Sequence, residues 1–91
     1  MSLFNPTQIE AALTKLKDWK LNNGRMEKIF SFKNFVEAIE FVNTLVAPAE
    51  SMDHHPDITI NYNKVILSLV THSAGGITEK DFELARKIDA I

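Results

Sequence analysis

The chain has 91 residues, of which 45% are apolar and 24% are charged, and it contains no cysteine. This composition is typical of a small globular protein and excludes fibrous and disordered chains, while the lack of cysteine excludes disulfides and thiolate metal sites. The net charge of −2 provides no strongly basic surface, so direct binding to nucleic-acid phosphates is not expected.

The length predicts a single domain, residues 1–91, because a chain this short builds one core. No segment approaches the roughly 20 consecutive apolar residues of a membrane span. The N-terminal sequence MSLFNPTQIEAAL has no basic segment followed by an apolar run, as a secretory signal would. We therefore expect a cytoplasmic protein with no membrane contact.

The first helix is predicted from the segment TQIEAALTKLKDW. Ile9, Leu13 and Leu16 recur at helical spacing and form an apolar stripe. Thr7 and Glu10 have the spacing of a capping box, so the pattern predicts that the helix is capped by Thr7.

A β-hairpin is predicted next, with its turn at Asn23-Gly24, a pair that favours tight hairpin turns. Met26 and Phe30 share the inner face of the returning strand. Lys28 interrupts this face, which indicates a position at a sheet edge.

A second helix is predicted to begin at the N-cap residue Asn34. Pro48 falls within the same apolar pattern, and proline inside a helix removes a hydrogen bond and kinks or stops it. Two alternatives follow. The helix ends near Ala47, or it bends and continues through Glu50 to about Met52.

The segment DITINY predicts a third strand, whose alternation turns Ile58, Ile60 and Tyr62 inward. The chain is then predicted to turn at Asn63-Lys64.

The segment VILSLVTH predicts the fourth strand of the sheet. Val65, Leu67 and Leu69 face the core in this pattern, and His72 is the last strand residue before the glycine-containing turn SAGG.

The last helix is predicted to begin at Thr78, which has capping spacing with Asp81. Ile77 and Phe82 are placed as a hydrophobic staple across this helix start. Capping alone would be a sufficient structural reason for an acidic residue at Asp81.

The predicted order is therefore α-β-β-α-β-β-α, an α+β fold with a four-stranded antiparallel sheet covered on one face by helices. Ile29, Ile66 and Val70 point away from the inward set of their strands. A second buried surface on this side predicts a homo-oligomer, a dimer or a tetramer.

The three histidines are predicted to meet at one end of this sheet. A hairpin returns the chain to its start, so His72 should finish beside His54 and His55. The unperturbed histidine pKa, about 6.5, allows the side chain to give and take protons near neutral pH. With Glu50 and Asp81 nearby to orient the rings, the cluster is a candidate acid–base site.

A metal site is the alternative use of such a cluster, because zinc accepts histidine and carboxylate ligands. His54 and His55 are adjacent, however, and adjacent side chains in an extended segment point to opposite sides. The helical spacing that aims two histidines at one ion is also absent. We therefore expect no bound metal.

The segments AESMDHHPDI and NYNKVILSLVTHSAGGITEKDFELA resemble the pterin-4a-carbinolamine dehydratases, a family also known as the dimerization cofactor of a hepatocyte nuclear factor. The upstream stretch FSFKNFVEAIEFV is similar to the same family. The matching positions are Trp19, Glu50, His54, His55, Pro56, Tyr62, Val65, His72, Gly76, Ile77, Thr78 and Asp81.

The resemblance implies dehydration of 4a-hydroxytetrahydrobiopterin to quinonoid dihydrobiopterin, within tetrahydrobiopterin recycling and without a metal or organic cofactor. It also implies that the three histidines line the pterin pocket, with His54 and His72 transferring protons and His55 binding and orienting the pterin. The residues implied to shape or support the pocket are Glu50, Asp81, Trp19 and Pro56.

The resemblance also leaves an alternative function, a protein-binding regulatory module similar to a transcriptional coactivator. Some members of the family bind the helices of a protein partner. Such a function would use apolar positions of the second predicted helix instead of the histidines.

Overall fold

The computed structural model describes residues 2–91. This part of the chain contains four α-helices and four strands. The helices are α1 (Pro6–Leu13), α2 (Phe35–Thr44), α3 (Val46–Met52) and α4 (Glu79–Asp89). The strands are β1 (Lys20–Asn22), β2 (Arg25–Ser31), β3 (Asp57–Asn61) and β4 (Lys64–Leu69). Within this part of the chain, no helix is both long enough and apolar enough to cross a membrane.

The strands form one antiparallel sheet in the order β1-β2-β4-β3. Val65, Leu67 and Leu69 of β4 are fully buried on the helix side, as predicted. On the other side Ile29 lies opposite Ile66 and is 61% exposed. The predicted α+β fold is therefore confirmed, with the second predicted helix divided into α2 and α3.

The start of α1 differs from the prediction because a second capping pair lies just upstream. Asn5, not Thr7, is the N-cap. The Asn5 side chain accepts the Gln8 backbone N–H at 2.8 Å, and the Gln8 side chain accepts the Asn5 N–H at 2.8 Å. Pro6 then occupies the first helical position, where its fixed φ suits the helix and its missing N–H is not needed.

The break between α2 and α3 decides between the two alternatives for Pro48. The chain bends and continues, with α2 ending at Thr44 and α3 beginning at Val46. In an unbroken helix the nitrogen of Pro48 would face the Thr44 carbonyl without a hydrogen to donate. The break at Leu45 instead leaves Pro48 in the first turn of α3. Helix α3 therefore extends far enough to carry Glu50.

The β3–β4 hairpin turns one residue earlier than predicted. Asn61 pairs with Lys64, so the two-residue loop is Tyr62-Asn63. Tyr62 has a φ of 54° and is 67% exposed, so it does not point inward. Ile58, at 40% exposed, is also less buried than its alternation predicts, because β3 is an edge strand.

Lys28 does not lie at a sheet edge, because β2 is an inner strand. Its side chain is only 13% exposed, and Nζ lies 4.9 Å from the centre of the Phe30 ring. A buried charge needs a partner. Asp89, the last residue of α4, supplies one, with Oδ1 2.8 Å from Lys28 Nζ and Oδ2 accepting the Trp19 indole N–H at 2.9 Å.

Candidate active site

The three histidines line one cleft of about 250 Å³ at the end of the sheet. The hairpin geometry predicts this meeting. Strand β4 ends at Leu69, however, so His72 lies beyond the strand and not at its last residue. The full lining consists of Asp53, His54, His55, Val70, Thr71, His72, Ser73 and Lys80.

His54 is the most enclosed of the three histidines, at 8% exposed. Helix α3 ends at Met52, and its C-cap residue Asp53 has a left-handed φ of 49°. The His54 backbone N–H donates to the Ala49 carbonyl at 3.1 Å. This helix end turns the His54 ring towards α4. Its Nε2 lies 2.7 Å from Oδ1 of Asp81.

Asp81 is fully buried, and its carboxylate is held by the start of α4. Its Oδ2 accepts the Thr78 backbone N–H at 2.9 Å, which completes the predicted capping box. The same oxygen accepts the Thr71 hydroxyl at 2.8 Å. Asp81 therefore does both jobs that the sequence left open, since it caps α4 and contacts a histidine of the cleft.

His55 lies on the exposed side of the cleft and pairs with a different carboxylate. Its Nε2 is 2.5 Å from Oε2 of Glu50, and the two side chains are 54% and 69% exposed. A polar contact this exposed contributes little to stability. Its effect is to orient the His55 ring.

An apolar groove of about 280 Å³ lies on the other side of His55. It is lined by Val42, Asn43, Leu45, Val46, Ala49, Glu50, His55, Pro56 and Ile58. His55 is the histidine that borders both cavities, and Pro56 and Glu50 lie in the groove, not among the residues lining the histidine cleft.

His72 is exposed and is held in a single 3₁₀ turn that spans His72–Ala74. The Thr71 carbonyl accepts the backbone N–H groups of Ala74 and Gly75 at 3.1 and 3.0 Å. The Thr71 N–H in turn donates to the Gly76 carbonyl at 2.9 Å. These bonds close the turn and fix the backbone that carries His72.

The structure does not bring every predicted site residue to the cleft. Trp19 is 4% exposed and bonded to Asp89 in the core, and it lines neither the cleft nor the groove. The sequence reasoning also missed Thr71 and Lys80. Thr71 had a signal, because it continues the inward alternation of β4 and a polar residue at an inward position needs a buried partner. Lys80 had none.

Cavity size alone does not identify this site. A larger cavity of about 500 Å³ lies over the β1–β2 hairpin, and none of its lining residues is a histidine. Among residues 2–91, no group of three or more histidine, aspartate or glutamate side chains is arranged to hold a metal ion. The histidine cleft is the place where groups able to exchange protons converge.

Comparisons with known proteins point to one family. The family model described as pterin 4 alpha carbinolamine dehydratase matches residues 2–91. A protein of Picosynechococcus sp. named "Putative pterin-4-alpha-carbinolamine dehydratase" is 53% identical over 85 residues, 93% of this chain and 92% of that protein. A protein of Sulfolobus acidocaldarius with the same name is 50% identical over 84 residues, 92% of each chain.

Two solved structures have a similar fold. The transcriptional coactivator/pterin dehydratase from Brucella melitensis superposes with a TM-score of 0.92 and 34% identity, over 98% of this chain and 97% of that one. A pterin dehydratase-like protein described as a RuBisCO assembly factor in the alpha-carboxysome has a TM-score of 0.66 at 24% identity, over 80% and 87% of the two chains. The second likeness concerns the fold alone.

Proposed function

Because this chain belongs to the pterin-4a-carbinolamine dehydratase family, we propose that it converts 4a-hydroxytetrahydrobiopterin to quinonoid dihydrobiopterin and water, within tetrahydrobiopterin recycling. The observation that carries this proposal is the cleft itself. Three histidines from two chain segments line it, and the Nε2 atom of His54 lies 2.7 Å from the buried carboxylate of Asp81.

The reaction needs one proton donor and one proton acceptor. The C4a–O bond of the carbinolamine breaks as the lone pair of the neighbouring ring nitrogen forms a C=N bond. The departing hydroxyl takes a proton and leaves as water, and the ring nitrogen gives its own proton to a base. Positioned acids and bases each typically contribute roughly 10²–10⁴-fold to such a step.

His54 suits the role of the base. A carboxylate can only accept hydrogen bonds, so Asp81 takes a hydrogen from Nε2 of His54. The other ring nitrogen, Nδ1, then carries a free lone pair. His54 removes the proton from the pterin ring nitrogen in this proposal, and Asp81 stabilises the imidazolium that forms.

His72 suits the role of the acid. Its exposed ring can take up a proton from solvent after each turnover, and it lines the same cleft as His54. His55 binds and orients the pterin, with Glu50 holding its ring. The cleft volume of about 250 Å³ is slightly below the roughly 300–1,000 Å³ of sites for drug-sized ligands, which suits a small bicyclic ring.

A dehydration assay of wild type, His54→Ala and His72→Ala tests the proposal. Loss of either proton-transfer group should lower kcat roughly 10²-fold or more. Circular dichroism should report an unchanged fold for His72→Ala, since this side chain is exposed. A wild-type protein that fails to accelerate dehydration, or two variants with wild-type rates, would contradict it.

A second candidate function, a protein-binding regulatory module, is favoured by the surface of α2 and α3. Phe35 and Val36 at the start of α2 and Val46 at the start of α3 are apolar side chains that are 50%, 63% and 59% exposed. We propose that this surface binds a protein, either a further copy of the chain in a dimer or tetramer or a different partner.

Substitution on this surface separates the two candidate functions. Val36→Glu should lower the mass measured by light scattering, or abolish capture of a partner, without affecting dehydration. His72→Ala should do the reverse. A wild-type protein that stays monomeric at micromolar concentration and captures no partner would contradict the binding role.

A further inference from the structure

Thr71 is a buried polar residue that the proposed proton transfers do not use. It is 5% exposed and follows the inward-facing residues of β4. Its hydroxyl oxygen lies 2.8 Å from Oδ2 of Asp81 and 2.8 Å from Oγ1 of Thr78. A hydroxyl with two buried partners has a defined direction for its single proton.

The directions of these hydrogen bonds follow from the carboxylate at one end. Asp81 has no hydrogen to give, so the Thr71 proton points at Asp81. The hydrogen between the two threonines must then come from Thr78. The Thr78 oxygen in turn accepts the Lys80 backbone N–H at 3.3 Å. A directed chain of donors therefore runs from the first turn of α4 through Thr78 and Thr71 to Asp81.

The chain of donors leaves one oxygen of Asp81 for His54. The Thr71 hydroxyl and the Thr78 N–H both occupy Oδ2, and Oδ1 lies 2.7 Å from Nε2 of His54. Two donors on Oδ2 fix the rotation of the carboxylate. His54 then has to donate from Nε2.

The second nitrogen of the His54 ring, Nδ1, is accessible. Within residues 2–91, no buried side-chain nitrogen or oxygen lacks a hydrogen-bond partner. Nδ1 of His54 has no partner among the side-chain hydrogen bonds, so it is not fully enclosed. Since His54 lines the cleft, we infer that Nδ1 meets solvent or ligand there.

We infer that Thr71 is a positioning residue, which holds Asp81 as an acceptor so that His54 keeps its proton on Nε2 and presents a bare Nδ1 to the cleft. This inference rests on the proposed function, because it assigns the reactive nitrogen of the proposed base. Thr71 does not contact the substrate in this account. It acts through Asp81.

The test compares Thr71→Val, Thr71→Cys and Thr71→Ser with wild type. Valine keeps the branched shape without the hydroxyl, so kcat should fall roughly tenfold or more, the effect of losing a hydrogen bond to a charged group, with KM little changed. Serine should restore kcat to within about threefold of wild type, and cysteine, a weak donor, should lie between them. Thr59→Val, an exposed change on β3, should leave kcat unchanged.

Nitrogen-15 NMR of the histidine rings provides a readout that does not depend on turnover. In wild type the His54 hydrogen should be on Nε2 and should exchange slowly with water. Thr71→Val should speed this exchange, and Thr71→Ser should not. A His54 hydrogen on Nδ1 in wild type overturns the inference, as does a Thr71→Val protein with wild-type kcat and wild-type exchange. If Thr71→Val does not fold, a Thr71→Cys protein identical to wild type in both measurements overturns it.

The two readouts separate failure of this inference from failure of the proposed function. A wild-type protein that does not dehydrate the carbinolamine contradicts the proposed function. The NMR measurements on wild type and the Thr71 variants would still decide whether Thr71 holds the Asp81–His54 pair.

Discussion

Replacing Asp81 by asparagine should prevent His54 from acting as the proposed base. The replacement keeps the size and shape of the side chain at position 81. The carboxylate now accepts hydrogen bonds from the His54 ring, the Thr71 hydroxyl and the Thr78 N–H. An asparagine has one acceptor oxygen, and the Thr71 and Thr78 donors both point at the position of Oδ2. The NH₂ group of the asparagine would then face Nε2 of His54. Nε2 would have to accept a hydrogen bond from this group, so the ring hydrogen of His54 would have to be on Nδ1.

The size of the effect follows from this exchange of donor and acceptor. With a hydrogen on Nδ1, His54 can no longer accept the pterin proton, so kcat should fall roughly 10²–10⁴-fold. Three hydrogen bonds to a charged group become bonds to a neutral one, at about 1 kcal/mol each, so the free energy of unfolding should fall by about 3 kcal/mol. For a domain of this size, that corresponds to a Tm lower by roughly 12–24 °C.

The assay follows the disappearance of chemically generated 4a-hydroxytetrahydrobiopterin, at a temperature where circular dichroism reports a folded variant. Glu79→Gln is the matched control, because it makes the same chemical change in the same turn of α4 at a side chain that is 57% exposed and outside the cleft. The control should retain wild-type kcat. A folded Asp81→Asn protein with kcat within about threefold of wild type would refute the reasoning.

Three further predictions concern other parts of the molecule. His55→Ala should raise KM for the pterin by about tenfold while kcat changes less than threefold, since a lost binding contact of about 1.4 kcal/mol gives this factor; equal losses in kcat and kcat/KM would contradict a binding role. Pro48→Ala should change the urea-derived free energy of unfolding by less than about 1 kcal/mol, because a proline in a first turn costs no hydrogen bond; a larger loss would refute this account of the α2–α3 break. Asp89→Ala should destabilise the protein by about 1–3 kcal/mol, and more than Lys28→Met does, because it leaves a largely buried ammonium without its partner; the reverse order would contradict the pairing.

The parts of the fold that the sequence predicts correctly are those with a strong local signal. The inward run Val65, Leu67 and Leu69 is fully buried, and Thr78 with Asp81 forms the capping box of α4. In both cases no second local pattern in the sequence predicts a different structure. The meeting of the histidines also follows from local information, since a tight hairpin can only return the chain to its start.

The wrong predictions arise where two local patterns compete or where a long-range partner decides. Thr7 is a plausible cap, but Asn5 with Pro6 at the first helical position is a better one. The local sequence predicts an edge position for Lys28. In the structure Lys28 lies on an inner strand, where Asp89, 61 positions away in the chain, provides the opposite charge. Contacts of this kind depend on how α4 packs on the sheet, and no spacing in the sequence encodes them.

The candidate site also has a part that the sequence predicts and a part that it does not. The histidines are visible in the sequence, and so is the carboxylate of Asp81. The pairing of His54 with Asp81 and of His55 with Glu50 is not, because it depends on where α3 ends and how α4 begins. A role for Thr71 can be inferred only once its burial is known.

The most direct test of the central claim, that the histidine cleft binds and dehydrates the pterin, is a crystal structure with 7,8-dihydrobiopterin, which has no C4a hydroxyl to lose. The account predicts the pterin ring in the cleft, with its C4a–N5 edge within hydrogen-bond reach of Nδ1 of His54 and of the His72 ring, and His55 against the rest of the bicycle. A pterin bound in the apolar groove beside Pro56, with the cleft between His54 and His72 empty, would contradict it.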